Sequence, residues 1–132
     1  MHLFSHIFVG VSDFRRALAF YRAILPRLGL EERFCEESRP WAGWQIATGQ
    51  RPLFLIGKPH DGGAHEPGNG QMAAFLAQSR AVVDDVYAVA LRSGGTSEGQ
   101  PGLRPEYTPT YYGAYFRDTE GNKICVACHC PS

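Results

Sequence analysis

Apolar positions along the chain fall into two successive sets with the same internal order. Ile7, Val9 and Val11 alternate with other residues over 3–11, the period of a strand with one covered face. Phe14, Leu18, Tyr21, Leu25 and Leu28 then recur at helical spacing, with Ser12 or Asp13 as N-cap and Gly29 as the stop. Pro26 lacks a backbone N–H and should disturb the last turn of that helix. Segments 31–36, 42–48 and 52–57 are short, aromatic or β-branched and separated by turn formers, which predicts three further strands.

After a Gly/Pro-rich linker over 58–70 the pattern restarts. Residues 71–77 predict a strand, Ser79 a cap, and 80–92 a helix with Val83, Val86, Val89 and Ala90 inward, stopped by Gly94 and Gly95. Weaker strand signals follow at 96–103, and 111–117 with 122–129 read as a hairpin across Asp118–Asn122. At an offset of 66 residues, His6–Val11 overlays Met72–Ala77 and Phe20–Leu25 overlays Val86–Leu91. Each half thus reads β-α-β-β-β. The expected fold class is α+β: two tandem modules, 1–57 and 71–132, forming curled mixed sheets around a concave pocket within one domain, 1–132. A half this small cannot bury both its helix and its sheet alone, so the two must pack together.

Strand alternation assigns faces. With Ile7, Val9 and Val11 against the helix, His6, Phe8 and Gly10 take the opposite side; Met72, Ala74 and Leu76 do so in the matching strand. In the last strand Cys125, Ala127 and His129 oppose Ile124, Val126 and Cys128. One concavity is therefore expected to hold His6, Met72 and Cys125. A metal site shared between the halves would want a ligand at both matching strand positions. Here one is histidine and the other methionine.

Composition narrows the partners. Thirteen basic and thirteen acidic residues cancel, so no charge footprint for nucleic acid or an acidic membrane is present. No apolar run reaches membrane-spanning length and no charged-then-apolar export signal opens the chain, so a cytoplasmic location is expected. Of Cys35, Cys125, Cys128 and Cys130, three crowd the last eight residues, unlike a spaced disulfide framework, and reduced thiols are expected. Cys125-Val126-Ala127-Cys128-His129 matches the C-x-x-C-H haem-attachment pattern. On a strand, however, positions 125 and 128 point to opposite faces and cannot clamp one porphyrin, nor form a helix-terminal redox pair.

Three stretches carry a resemblance. They are Ser5-His6-Ile7-Phe8-Val9-Gly10-Val11-Ser12-Asp13 followed by Ala19-Phe20-Tyr21, Gly68-Asn69-Gly70 entering the fifth strand, and Tyr111-Tyr112-Gly113-Ala114-Tyr115 followed by 117–124. In this order the chain resembles the glyoxalase, bleomycin-resistance and extradiol dioxygenase superfamily, the vicinal oxygen chelate fold. The resemblance implies metal ligands on the first, fifth and eighth strands, commonly histidine, histidine and glutamate, with a divalent ion chelating neighbouring substrate oxygens. The corresponding positions here are His6, Met72 (with Gln71 just before it) and Cys125. A thioether is a poor ligand for hard or borderline ions, and thiolate in place of carboxylate changes both softness and charge placement. No cofactor is therefore expected, a divalent metal being the alternative. The resemblance also implies a small-molecule ligand and a homodimer.

Other residues are weighed on the same terms. His60 and His65, with Asp61 and Glu66, read as solvated linker side chains, and His2 carries no signal. Arg104, Glu106 and Tyr107 precede the seventh strand and could overhang the cavity, Glu106 as a base or substitute carboxylate. Tyr111 and Tyr112 must face opposite ways. Trp41, Trp44 and Phe54 could stack a flat ligand or fill the core. The expected catalytic candidates are His6 and Glu106; the expected ligand-binding set is Phe8, Trp44, Met72, Tyr111 and Cys125. The leading expectation is a metal-free binding module for a small organic molecule. Its rivals are a lyase or dioxygenase holding metal through His6, Cys125 and a donor such as Gln71 or Glu106, and a metal-independent isomerase or hydrolase using His6 or Glu106.

Overall fold

Asp13 and Ser79, 66 positions apart, do the same job in each half: each side chain accepts the backbone N–H three residues on and starts a helix. The computed structural model of the protein describes residues 3–131, so His2 lies outside the described residues. Strand β1 (His6–Gly10) leads to helix α1 (Phe14–Ile24), which tightens into a 3₁₀ turn over Leu25–Leu28 where Pro26 removes a donor. Gly29, at φ 83°, caps it in the left-handed region that favours glycine. Strands β2 (Leu30–Glu36), β3 (Trp41–Ile46) and β4 (Leu53–Gly57) follow. The second half repeats the order with β5 (Ala73–Leu76), α2 (Arg80–Arg92), β6 (Thr96–Leu103), β7 (Tyr112–Arg117) and β8 (Lys123–Cys128).

The sheets run β1-β4-β3-β2 and β5-β8-β7-β6. In each, the first and last strands of the module pair in parallel and the rest antiparallel, the result of a helical crossover followed by a meander. The weak signal at β6 has a physical cause. This edge strand carries Gly99, Pro101 and Gly102 and slips register twice against β7, which an edge position tolerates.

One core joins the halves. Phe20, Tyr21 and Ile24 of α1, Val83 and Val86 of α2, Trp44 and Ile56 of the first sheet, and Phe116 and Ile124 of the second are all buried within it. Each such side chain contributes roughly 1.5–3 kcal/mol on burial. Phe54 and Phe75 meet edge-on across the seam between the modules, ring centres 4.9 Å apart.

Two expectations need correction. Ile7 is exposed rather than set under the helix, because cover deepens along β1 only from Val9 to Val11. The expectation of four reduced thiols also fails. Cys128 and Cys130 are joined as a disulfide, while Cys35 and Cys125 are free. Cys125 and Cys128 do point to opposite faces of β8, the second into the core and the first toward Tyr111.

Candidate functional site

Pairing of β1 with β4 and β4 with β3 places His6, Phe8, Leu55, Gly43 and Trp41 on the face of the first sheet turned away from the helices. There His6, Phe8, Trp41 and Leu55 line a cleft of about 620 Å³, completed by Arg39 and Pro40 and by Lys58, Pro59, His60 and Gly62 at the start of the linker. Glycine makes the close packing beneath it possible. A Cβ on Gly43 would lie 2.6 Å from both Leu55 and Phe34, and one on Gly57 would lie 3.1 Å from the Phe8 ring. Trp41 is fixed on three sides. Phe34 meets it edge-on at 4.6 Å, its Nε1–H donates to Glu36 at 3.0 Å, and the Arg39 guanidinium lies 4.5 Å over its ring. Nδ1 of His6 is 2.9 Å from the Ser5 hydroxyl.

A smaller cleft of about 160 Å³ follows the seam between β1 and β5 and includes Ile7, Phe8, Gly10, His65, Gln71 and Met72. His65 is the residue that sequence reading left in solvent. Its backbone N–H donates to Ser12 Oγ at 2.7 Å, and its Nε2 is 2.6 Å from Asn122 Oδ1. The Asn122 amide nitrogen already donates to the Gly10 carbonyl and to Asp118 Oδ2, so its oxygen is the acceptor and His65 Nε2 carries the proton. The ring packs so closely on Gly10 that a Cβ there would lie 2.5 Å from Nδ1. The available signal was Gly10 itself, a residue without a side chain in the middle of an apolar strand.

Cys125 lies in neither cleft. It is fully buried beneath Tyr111, whose hydroxyl is 3.4 Å from its Sγ and 2.9 Å from the Tyr115 hydroxyl. Burial pushes the Cys125 thiol above its ordinary range, and burial likewise raises both tyrosines, so the cluster is neutral at physiological pH.

The expected concavity holding His6, Met72 and Cys125 together is therefore divided. His6 lines the larger cleft, Met72 the seam cleft, Phe8 both, and Tyr111 covers the cysteine. Trp44 is on the other side of its strand, 1% exposed in the core against Tyr21, and it is Trp41 that lines the cleft. Glu106 is exposed in the turn between β6 and β7 and lines neither cleft. Among the described residues no group of three or more His, Cys, Asp or Glu side chains gathers to hold a metal ion.

This architecture has close counterparts. A glyoxalase/bleomycin resistance protein from Albidiferax ferrireducens superposes with a TM-score of 0.85 at 35% identity, covering 96% of this chain and 99% of that one. Lactoylglutathione lyase from Agrobacterium tumefaciens (20% identity, 97% and 94% coverage, TM-score 0.67) shares the fold. So does the fosfomycin resistance protein FosX from Listeria monocytogenes (19% identity, 97% and 93% coverage, TM-score 0.69). No curated protein matches the chain in sequence. Residues 3–126 match the family model described as the Glyoxalase/Bleomycin resistance protein/Dioxygenase superfamily. With that match over most of its length and a relative at 35% identity, the chain belongs to the glyoxalase/bleomycin resistance protein/dioxygenase superfamily.

Proposed function

We propose that the protein is a binding module that holds a small organic molecule in the cleft over the first sheet and has lost the chelating metal site of its superfamily. The observation that carries this reading is the cleft of about 620 Å³ lined by Phe8, Trp41 and Leu55 with a histidine at its edge. That is the size and mixed lining of a small-ligand site. Metal loss is supported by donor chemistry. Met72 offers a thioether, and Cys125 offers a buried, protonated thiol held by Tyr111, whereas a metal ligand must be a thiolate. These residues do not fit a divalent ion.

Met72 and Leu76, 46% and 72% exposed, leave apolar surface on the open side of the second sheet. A second copy covering it, as a homodimer, belongs to the same proposal. Sedimentation velocity should give a mass near twice 14.6 kDa.

A second reading, a metal-independent isomerase or hydrolase, is favoured by one contact. In the tautomer that donates from Nδ1 to Ser5 Oγ, His6 Nε2 presents a lone pair to a ligand. The change His6→Asn separates the two. Ligand affinity that survives it supports the binding module; turnover that disappears with it supports the base. Stoichiometric zinc, nickel, iron or manganese in protein purified without a histidine tag overturns the metal-free reading.

A further inference from the structure

The chain carries no net charge, yet the ionisable side chains lining the larger cleft are all basic: His6, Arg39, Lys58 and His60. They share the cleft with the apolar side chains of Phe8, Trp41 and Leu55. Among the described residues none of the acidic groups close by in sequence, Glu36, Glu37 and Asp61, pairs with Arg39 or Lys58, and Glu37 pairs with Arg15. Glu36 accepts the Trp41 indole N–H, and Asp61 Oδ1 accepts the Gly63 backbone N–H at 2.9 Å. Arg39 is held over the Trp41 ring at 4.5 Å, so its guanidinium is positioned without an ion-pair partner taking up its charge.

We propose that this cleft selects organic anions: molecules with a flat or branched apolar body against Phe8, Trp41 and Leu55 and a carboxylate, sulfonate or phosphate head toward Arg39, Lys58 and His60. The proposal rests on the small-molecule reading above and names the ligand's chemical class. Unpaired cations lining an apolar cleft raise the local concentration of anions and bind the head group, while the apolar side chains supply most of the affinity without regard to charge. Lys58 and His60 sit at the start of the linker, beyond the end of β4, so head-group selection is separated in the chain from the strand residues that supply the apolar side chains.

The test uses two fluorescent probes of matched body and different charge, 8-anilinonaphthalene-1-sulfonate and neutral N-phenyl-1-naphthylamine. The sulfonate should bind roughly tenfold more tightly than the neutral probe, and added salt should narrow the gap. The double variant Lys58→Gln with His60→Gln, at exposed positions in the linker, should cut that preference several-fold while leaving the neutral probe's affinity in place. Leu55→Ser should weaken both probes. Equal binding of the two probes, or a sulfonate preference untouched by the double variant, overturns the anion proposal and leaves small-molecule binding standing. Failure of both probes to bind, or binding of both that Leu55→Ser leaves unchanged, overturns the cleft as the ligand site altogether.

Discussion

The Tyr21 hydroxyl donates to Asp118 Oδ2 at 2.5 Å across 97 residues of chain, joining the first helix to the last hairpin inside the core. Asp118 also accepts from the backbone N–H groups of Glu120 and Asn122 and from the Asn122 amide. The Glu120 carboxylate in turn accepts the N–H groups of Ser12 and Asp13 at 2.8 Å each. The turn of the second module is thus the clasp of the first.

Tyr21→Phe should destabilise the protein by roughly 1.5–3 kcal/mol, the range for a hydrogen bond to a charged group. Burial, then Asp118, raises the Tyr21 pKa well above its ordinary value, so the folded state favours the protonated phenol. The linked stability is fully present below the unfolded pKa, about 10, and is lost as pH rises beyond it. Urea melts at pH 7 and above pH 10 should therefore show the gap between wild type and Tyr21→Phe shrinking in alkali. A gap that stays constant would count against the contact.

Gly10→Ala should cost about 1–3 kcal/mol by overpacking, because His65 is tethered at both its backbone and its ring. Adding His65→Ala should recover most of the loss. A double-mutant cycle by thermal melting measures the coupling, and strict additivity of the two changes would contradict the packing described.

The two tryptophans should separate stability from binding. Trp44→Ala removes a core side chain and should cost about 3–5 kcal/mol. Trp41→Ala, in the cleft, should cost less stability and lower the affinity of any cleft ligand several-fold. If Trp41 proves the costlier to fold while ligand affinity is unmoved, the cleft has been misplaced.

Cys125 should resist iodoacetamide in the native state, since it is fully buried and burial raises its pKa, keeping it from the reactive thiolate form. Partly exposed Cys35, whose pKa burial also raises, should react first, and peptide mapping by mass spectrometry reads the order. Equal labelling would mean that Tyr111 does not seal the thiol.

Element order was legible because each element has local causes: caps at Asp13 and Ser79, Pro26 and Gly29 at one helix end, alternation along β1 and β8. The faces of β8 were legible too, since period two fixes them, whereas on β1 the same period put Ile7 under the helix, where it is exposed. Trp44 was harder. One position decides whether a strand tryptophan faces core or cleft, and without the β3–β4 register Trp41 and Trp44 are equivalent candidates. His65 was hidden for a different reason. Its partners Ser12 and Asn122 are 53 and 57 residues away, and nothing in a Gly/Pro-rich linker announces a return to the first strand. Division of the expected concavity was equally invisible, because it depends on how two open sheets meet.

Asn122 touches the Gly10 carbonyl, the His65 ring and Asp118 at once, so a hairpin corner both lines the seam cleft and braces it against β1. Substitutions in the Asp118–Asn122 turn should therefore reshape the seam cleft through the His65 ring, although that turn is more than a hundred residues from β1 in the chain.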